Sequence, residues 1–354
     1  MSFLRETFRN LLTRGRNYTP YIASEEGFDG TNFITMISNV RQSYAEQNLL
    51  GEFDHYCDFI QGIIDLPDTE VVPLKDFFTA AGEGKRLMSL RYDIDADPYT
   101  ALRMARYNAR FGVCGSFYLL HTAYYYGTMS EGVFMRNPLL KEWLLGFVVA
   151  GCEIGLHVDA FSLYINFNVD GASAVCEELR WLRAQGAKVF GTVAHNSFPA
   201  YGAESFEIFK GRTIWNRRSF EKEGIEIPLG ILDGKKIGLD YEGNYARPSV
   251  SNSPEEIDKW LNSTGANAAQ SEEWVRTYLF ENPYCQWGPD VIVWPTNGEK
   301  WCMAAKPPDS TPFFKWNISV TEVLSDLGCL PRGTRTSVVI HPIYFSKNMG
   351  NAGI

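Results

Sequence analysis

The segment RYDIDAD, at residues 91–97, places Arg91, Asp93 and Asp95 at the end of a predicted strand. It directly follows the apolar run at 87–90. Because side chains alternate between the two faces of a strand, Arg91, Asp93 and Asp95 share one face. Carboxylates on a buried face are unfavourable unless they are paired or bind a metal ion. The segment therefore predicts either an internal Arg–Asp ion pair or part of a functional site.

Three of the five histidines favour the functional site. His157, His195 and His341 each end an apolar run and precede a predicted loop. In barrels of parallel strands, the carboxyl ends of the strands open onto one face, where active sites lie. Histidine and carboxylate are also usual protein ligands of catalytic zinc. We therefore expect these three histidines to converge with Asp93 and Asp95.

Strands and helices alternate between residues 86 and 195. Proline at a helix start and glycine just after a helix end mark the boundaries, as at Pro98 and Gly112. This alternation predicts a parallel sheet or barrel with right-handed crossovers. The predicted strands span 86–95, 113–120, 152–158 and 188–195, and the predicted helices span 97–112, 137–150 and 173–185.

The pattern is weaker in the rest of the chain. Residues 1–85 are predicted to be mainly helical, with one candidate strand at 18–23. Beyond residue 200 the pattern predicts a short helix at 205–210, strands at 213–216, 236–241, 291–294 and 337–341, and helices within 250–285. The sequence contains no repeat, low-complexity segment or linker, so we predict a single elaborated domain over 1–354.

Composition excludes several classes of partner. The chain has 354 residues, 33 Lys and Arg against 42 Asp and Glu, and a net charge of −9, which argues against a nucleic-acid partner. No apolar run approaches the ~20 residues of a membrane span, and the N-terminus lacks an apolar signal core. The seven cysteines are scattered without a CxxC pair, so free thiols and a cytoplasmic location are expected. The sequence does not indicate an oligomeric state.

The order of three motifs resembles the polysaccharide deacetylase family, the NodB-homology domain. RYDID resembles its Asp-Asp motif, GCEIGLH resembles its metal-binding segment, and VVIHP resembles its closing His motif. The resemblance covers residues 86–195 and 337–342. It implies an α/β fold, a distorted (β/α) barrel whose core spans 86–345, with helical elaborations that include residues 1–85.

Two departures from the family pattern are visible. Ile94 separates the two aspartates, which are adjacent in most members, and Phe161 stands where a second histidine is usual. A divergent branch of the family has a spaced Asp pair and a histidine that ends the fourth strand, and His195 fits that place.

The resemblance implies a role for each candidate residue. One divalent metal ion, expected to be zinc, would be held by Asp95, His157 and His195, although the spaced pair leaves open whether Asp93 or Asp95 is the ligand. Asp93 would be the general base, and His341 would be the general acid. Common family members hold the base with an arginine near the fourth strand, and here Arg91, on the strand face of Asp93, would substitute for it. Asp240 would orient His341.

The function implied is hydrolysis of an N-acyl group, with acetyl expected, from an amino sugar of a surface polysaccharide or its precursor. One alternative is a hydrolase of the same fold that acts on a non-sugar amide, an ester or a cyclic imide. The other alternative is a catalytically silent sugar-binding protein, for which the missing second histidine is the best argument.

Overall fold

The computed structural model describes residues 18–30, 33–77, 79–80, 84–195, 203–213, 217–243, 246–248, 285–287, 289–305 and 313–349. The helices are α1 (Phe33–Glu46), α2 (Phe53–Ile64), α3 (Leu74–Phe77), α4 (Pro98–Arg110), α5 (Leu140–Val149), α6 (Ala160–Phe167), α7 (Gly171–Ala184) and α8 (Val320–Cys329). Two 3₁₀ helices span Ser205–Ile208 and Pro342–Phe345.

The strands begin with β1 (Ala23–Ser24), β2 (Thr69–Val71), β3 (Arg86–Ile94), β4 (Ser116–Leu120), β5 (Gly127–Ser130), β6 (Val133–Arg136), β7 (Glu153–Val158), β8 (Gly191–Ala194) and β9 (Ser219–Lys222). They continue with β10 (Ile225–Pro228), β11 (Tyr241–Glu242), β12 (Ala246–Pro248), β13 (Cys285–Trp287), β14 (Val291–Pro295), β15 (Trp301–Ala305), β16 (Phe313–Ile318) and β17 (Arg335–Ile340).

A mostly parallel sheet of ten strands is the centre of the described fold. Its order is β11-β8-β7-β4-β3-β17-β14-β15-β16, with β2 paired to β3. Pairing is parallel from β11 to β14, and β15 and β16 add antiparallel strands at one end. The predicted α/β class is therefore confirmed. Within the described strands the sheet is a path with two ends, so its closure into a barrel stays a prediction.

Strand β3 lies in the middle of this sheet, and all nine of its residues are buried. One face packs into the main core through Met88 and Leu90, together with helix residues. The opposite face packs through Leu87 into a smaller core that includes Leu74 and Phe77 of α3. Burial on both faces is typical of a parallel sheet covered on both sides. Asp93 shares the face of Leu87, so the polar residues lie on the side that α3 covers.

The parallel pairing brings several strand ends to one edge of the sheet. Strands β3, β4, β7, β8 and β17 run in the same direction in adjacent positions. Their carboxyl ends carry, or lead directly into, Asp95, His121, His157, His195 and His341. This common edge is the place where the sequence predicted a functional site.

Two predicted strands are wrong over most of their length. Of the strand expected at 18–23, only Ala23 lies in β1, and the second case is the strand expected at 236–241. Residues 234–238 form a turn, with Gly238 at φ +77°, and the strand comprises Tyr241–Glu242 alone. A positive φ is accessible to glycine but interrupts a strand, which is why alternating polarity misled the prediction here. The helices expected within 250–285 fall almost entirely outside the described residues, as does most of the strand expected at 213–216. None of the described helices has the length and apolar composition needed to cross a membrane.

Candidate metal centre

Asp95, His157 and His195 lie together at the carboxyl edge of the sheet. Each offers one ligand atom, and these atoms all lie within 4.8 Å of one another. The sheet register brings them together, because His157 pairs with Val193 and the backbone N–H of His195 donates to Val158 O at 2.8 Å. One carboxylate and two imidazoles from distant segments therefore meet, as the sequence predicted.

The orientation of the His157 ring is fixed by the main chain. Its Nδ1 lies 3.1 Å from the carbonyl oxygen of Val193, which can only accept, so Nδ1 carries the proton. The neutral imidazole then presents its Nε2 lone pair towards two carboxylates, at 3.3 Å from Asp95 Oδ1 and 3.8 Å from Asp93 Oδ2. Such an arrangement needs a cation, which is either a proton on Nε2 or a metal ion.

The electrostatics of the site agree with this need. Burial lowers the pKa of His157, but Asp93 and Asp95 more than compensate, so the pKa is raised above its ordinary value. Burial raises the pKa of Asp95, and the neighbouring His341, His157 and His195 reverse the effect, so that pKa is lowered. The two carboxylates therefore favour a positive charge at the position of the His157 ring.

The surroundings of Asp95 Oδ1 fit a cation-binding site. It is buried and accepts no hydrogen bond within the described part of the chain. Buried polar atoms are paired in the great majority of cases, and an exception calls for an ion, a water or a functional role. A donor set of two histidines and one carboxylate is also found in catalytic zinc sites. The residues present therefore fit a divalent metal ion.

Asp93 is clamped by Arg91 on the same face of β3. The Nε and Nη2 atoms of Arg91 donate to Oδ1 and Oδ2 of Asp93, each at 2.6 Å. Burial raises the pKa of Asp93, but the charges of Arg91 and His157 outweigh it, so the pKa is lowered. Both readings of this segment are therefore realised, since the internal ion pair exists and lies beside the candidate metal ligands.

His341 lies on the open side of the site. Its Nε2 is 3.4 Å from Asp95 Oδ2, and 31% of its side chain is exposed, compared with 2% for His157. Its ring packs against Tyr344 with centroids 5.7 Å apart, and Tyr344 in turn packs against Tyr44 at 5.9 Å. His341 is therefore placed to meet a ligand that approaches Asp95 from solvent.

Asp240 is not placed to orient His341, contrary to the expectation. It is exposed and precedes β11, whose Tyr241 pairs with Gly191 at the beginning of β8. His195 follows the opposite end of β8, so Asp240 lies at the amino edge of the sheet, away from the site. The acidic contact that the structure gives His341 is Asp95.

The glycine of GCEIGLH has a packing role. A Cβ on Gly155 would lie 2.4 Å from Cε1 of Tyr118 and 2.7 Å from the carbonyl oxygen of Gly191. Neither neighbour leaves space for a side chain two residues before His157. The motif therefore combines a residue needed for close packing with one that faces the site.

Three residues around the site have no role predicted from the sequence. Tyr44 and Tyr344 line its open side, and Asp159 Oδ2 lies 3.7 Å from His195 Nδ1. Nothing in the sequence around Tyr44 signals its position, because α1 reaches the site only through tertiary packing. Asp159 lies two residues after His157, which is a weak signal once the strand has ended.

Comparison of the chain with protein-family models, with curated proteins and with solved structures finds no match. The arguments about this site therefore depend on its own residues and their geometry.

Proposed function

We propose that this protein is a metal-dependent hydrolase that removes an N-acyl group, specifically acetyl, from an amino sugar of a surface polysaccharide or its precursor. The observation that carries the proposal is the cluster of Asp95, His157 and His195, with ligand atoms within 4.8 Å of one another. The cluster lies beside a buried Arg91–Asp93 pair and the accessible His341.

Zinc is the metal that we propose for this cluster, because two histidines and one carboxylate form a donor set of catalytic zinc. A bound zinc ion supplies Lewis acidity, which activates a water molecule near neutral pH and polarises the carbonyl of an amide. Asp93 and Asp95, which lie on one face of the chain, would both stay ionised more readily with a cation bound between them.

The other residues handle protons in this proposal. Asp93 accepts the proton of the attacking water at Oδ2, the oxygen that faces His157, while Arg91 keeps its carboxylate in place. His341 donates a proton from Nε2 to the departing amine. An amide needs this second transfer because an amine leaves poorly until it is protonated.

An amino sugar as substrate is supported by the ordered motifs RYDID, GCEIGLH and VVIHP, which resemble those of polysaccharide deacetylases. The tilted rings of Tyr44 and Tyr344 on the open side provide apolar faces that suit a sugar ring. We place the reaction on a precursor in the cytoplasm, because the described cysteines are free thiols, as is usual in a reducing compartment.

A substrate panel tests the proposal. The metal-loaded protein is incubated with free and nucleotide-linked N-acetyl amino sugars, non-sugar amides, esters and cyclic imides, and the released acid is measured. We expect release from the sugars alone, and none from His157→Ala. Hydrolysis restricted to a non-sugar substrate would establish the first alternative. Sugar binding without hydrolysis or metal would establish the silent sugar-binding protein.

A further inference from the structure

Asp159 stands at the N-terminal end of a helix without bonding the free backbone N–H groups there. It is the N-cap residue of α6, and its side chain makes no capping hydrogen bond. The aspartates at the same position of α4 and α7, Asp97 and Asp170, each accept two backbone N–H bonds from the first turn. Aspartate is favoured at N-caps because of those bonds. The carboxylate of Asp159 is therefore used for something else.

Two hydroxyl side chains hold this carboxylate in place, one in the loop after β4 and one in the first turn of α6. Thr122 Oγ1 and Ser162 Oγ donate to Asp159 Oδ2 at 3.0 and 2.6 Å. The backbone N–H of Asp159 donates to His121 Nε2 at 2.9 Å. Asp159 is 4% exposed, and its Oδ1 accepts no hydrogen bond within the described residues. A buried carboxylate with one unused oxygen requires a cationic or donor partner.

The carboxylate of Asp159 has one histidine of the candidate metal cluster beside it, His195. Its Nδ1 lies 3.7 Å from Asp159 Oδ2, within ion-pair distance. Histidines that bind metal almost always direct their second ring nitrogen to a carboxylate or a carbonyl oxygen, which fixes the tautomer. His157 directs its Nδ1 to the carbonyl of Val193 at 3.1 Å. The Nδ1 atom of His157 therefore has a main-chain oxygen at hydrogen-bond distance, and the Nδ1 atom of His195 has a carboxylate oxygen at ion-pair distance.

We propose that Asp159 is a positioning residue that holds the proton of His195 on Nδ1 and thereby leaves Nε2 to bind the metal ion. This inference rests on the metal site of the proposed function. It extends that site to a second layer formed by Asp159, Thr122 and Ser162, which the motif resemblance does not include.

The positioning role of Asp159 can be tested by measuring metal affinity, which needs no activity assay. The metal-free wild type and its variants are titrated with Co²⁺ against a competing chelator, and the visible absorption of Co²⁺ reports the ligand geometry. Loss of such a partner lowers metal affinity by about 10–100-fold, which is the loss we expect for Asp159→Ala. Asp159→Asn keeps an acceptor oxygen and should lose less. Thr122→Val, which removes only one support of Asp159, should also lose less.

A matched control separates positioning from helix stability. Asp170→Ala removes the N-cap aspartate of the neighbouring helix α7, including its bonds to Ala172 and Ser173. We expect it to lower the free energy of unfolding and to leave the Co²⁺ affinity and absorption unchanged. Equal affinity losses in Asp170→Ala and Asp159→Ala would overturn the positioning role, as would an unchanged affinity in Asp159→Ala. A wild type that binds no Co²⁺ would overturn the proposed function itself.

Discussion

Arg91 and Asp93 are two residues apart on one strand and form a two-point ion pair in the interior, with both donor–acceptor distances at 2.6 Å. Their side chains are only 5% and 4% exposed. Removing one partner of such a pair leaves the other charge buried and uncompensated. The pair therefore links the stability of the sheet to the protonation state of the proposed base.

Replacement of Arg91 tests that link. We expect Arg91→Met to lower the free energy of unfolding by about 3–5 kcal/mol, as for other buried pairs that lose one partner. Without the guanidinium, burial acts on Asp93 with less opposition and raises its pKa, so the base form is lost at a higher pH. The acid limb of the kcat/KM profile should consequently move to higher pH.

Arg136→Met is the matched control for this change. Arg136 makes the corresponding two-point pair with the fully buried Glu178, away from the candidate site. It should destabilise the fold by a similar amount and leave the position of the acid limb unchanged. Equal shifts in both variants would argue against Asp93 as the base.

Metal affinity should rise with pH. Asp93 and Asp95 raise the pKa of His157 in the metal-free protein above the ordinary value of about 6.5. Only the neutral ring binds a metal ion, so affinity should fall by about tenfold per pH unit below that raised value. Without metal, the same shift stabilises the fold below the ordinary pKa, and this contribution is lost as pH rises through the raised value.

Titrations with Zn²⁺ between pH 5 and 9 measure this dependence. Asp93→Asn removes one of the two carboxylates, so it should move the midpoint to lower pH. An affinity that is constant over the whole range would contradict a role for His157 as a ligand.

His341 and His157 should behave differently on replacement. We expect His341→Gln to lower kcat by about 10²–10⁴-fold, the usual contribution of a general acid, with bound metal retained. His157→Gln should lose the metal together with the activity. Elemental analysis and kinetics on the same preparations measure both quantities. Loss of metal from His341→Gln would instead make His341 a ligand.

Gly155→Ala tests the close packing beneath the site. The added methyl group meets the Tyr118 ring and the Gly191 carbonyl, and overpacking of this kind typically costs about 1–3 kcal/mol. We expect a lower midpoint of chemical denaturation and a weaker metal affinity, since His157 is two residues away. Gly30→Ala is the control, because nothing lies within 4 Å of the added atom there, and it should be close to neutral.

Local sequence features predicted much of the site. The alternation of β3 placed Arg91 and Asp93 side by side, and apolar runs that end in histidine marked the strand ends at His157, His195 and His341. Both signals depend only on strand geometry and on the parallel arrangement of strands. The sequence therefore predicted correctly that Asp95, His157 and His195 converge.

Other parts of the site depend on packing between distant segments. Tyr44 reaches the site because its helix, α1, is held in place by an ion pair between Arg41 and Asp97 at 2.8 Å. Asp240 was misplaced because the turn at Gly238 delays the start of β11 and leaves Asp240 at the opposite edge of the sheet. Alternating polarity carries no information about such long-range contacts or about the exact start of a short strand.

The bond between His157 and Val193 has an evolutionary consequence. Because its acceptor is a main-chain oxygen, every amino acid at position 193 supplies the same group. Point substitutions there change volume and leave the tautomer of the histidine untouched, whereas an insertion or deletion that slips β8 by one residue would remove it. Natural selection on this contact would therefore act on the spacing between segments. Its signature in related chains would be a constant loop length, with position 193 restricted only to side chains that fit the core in which Val193 is buried.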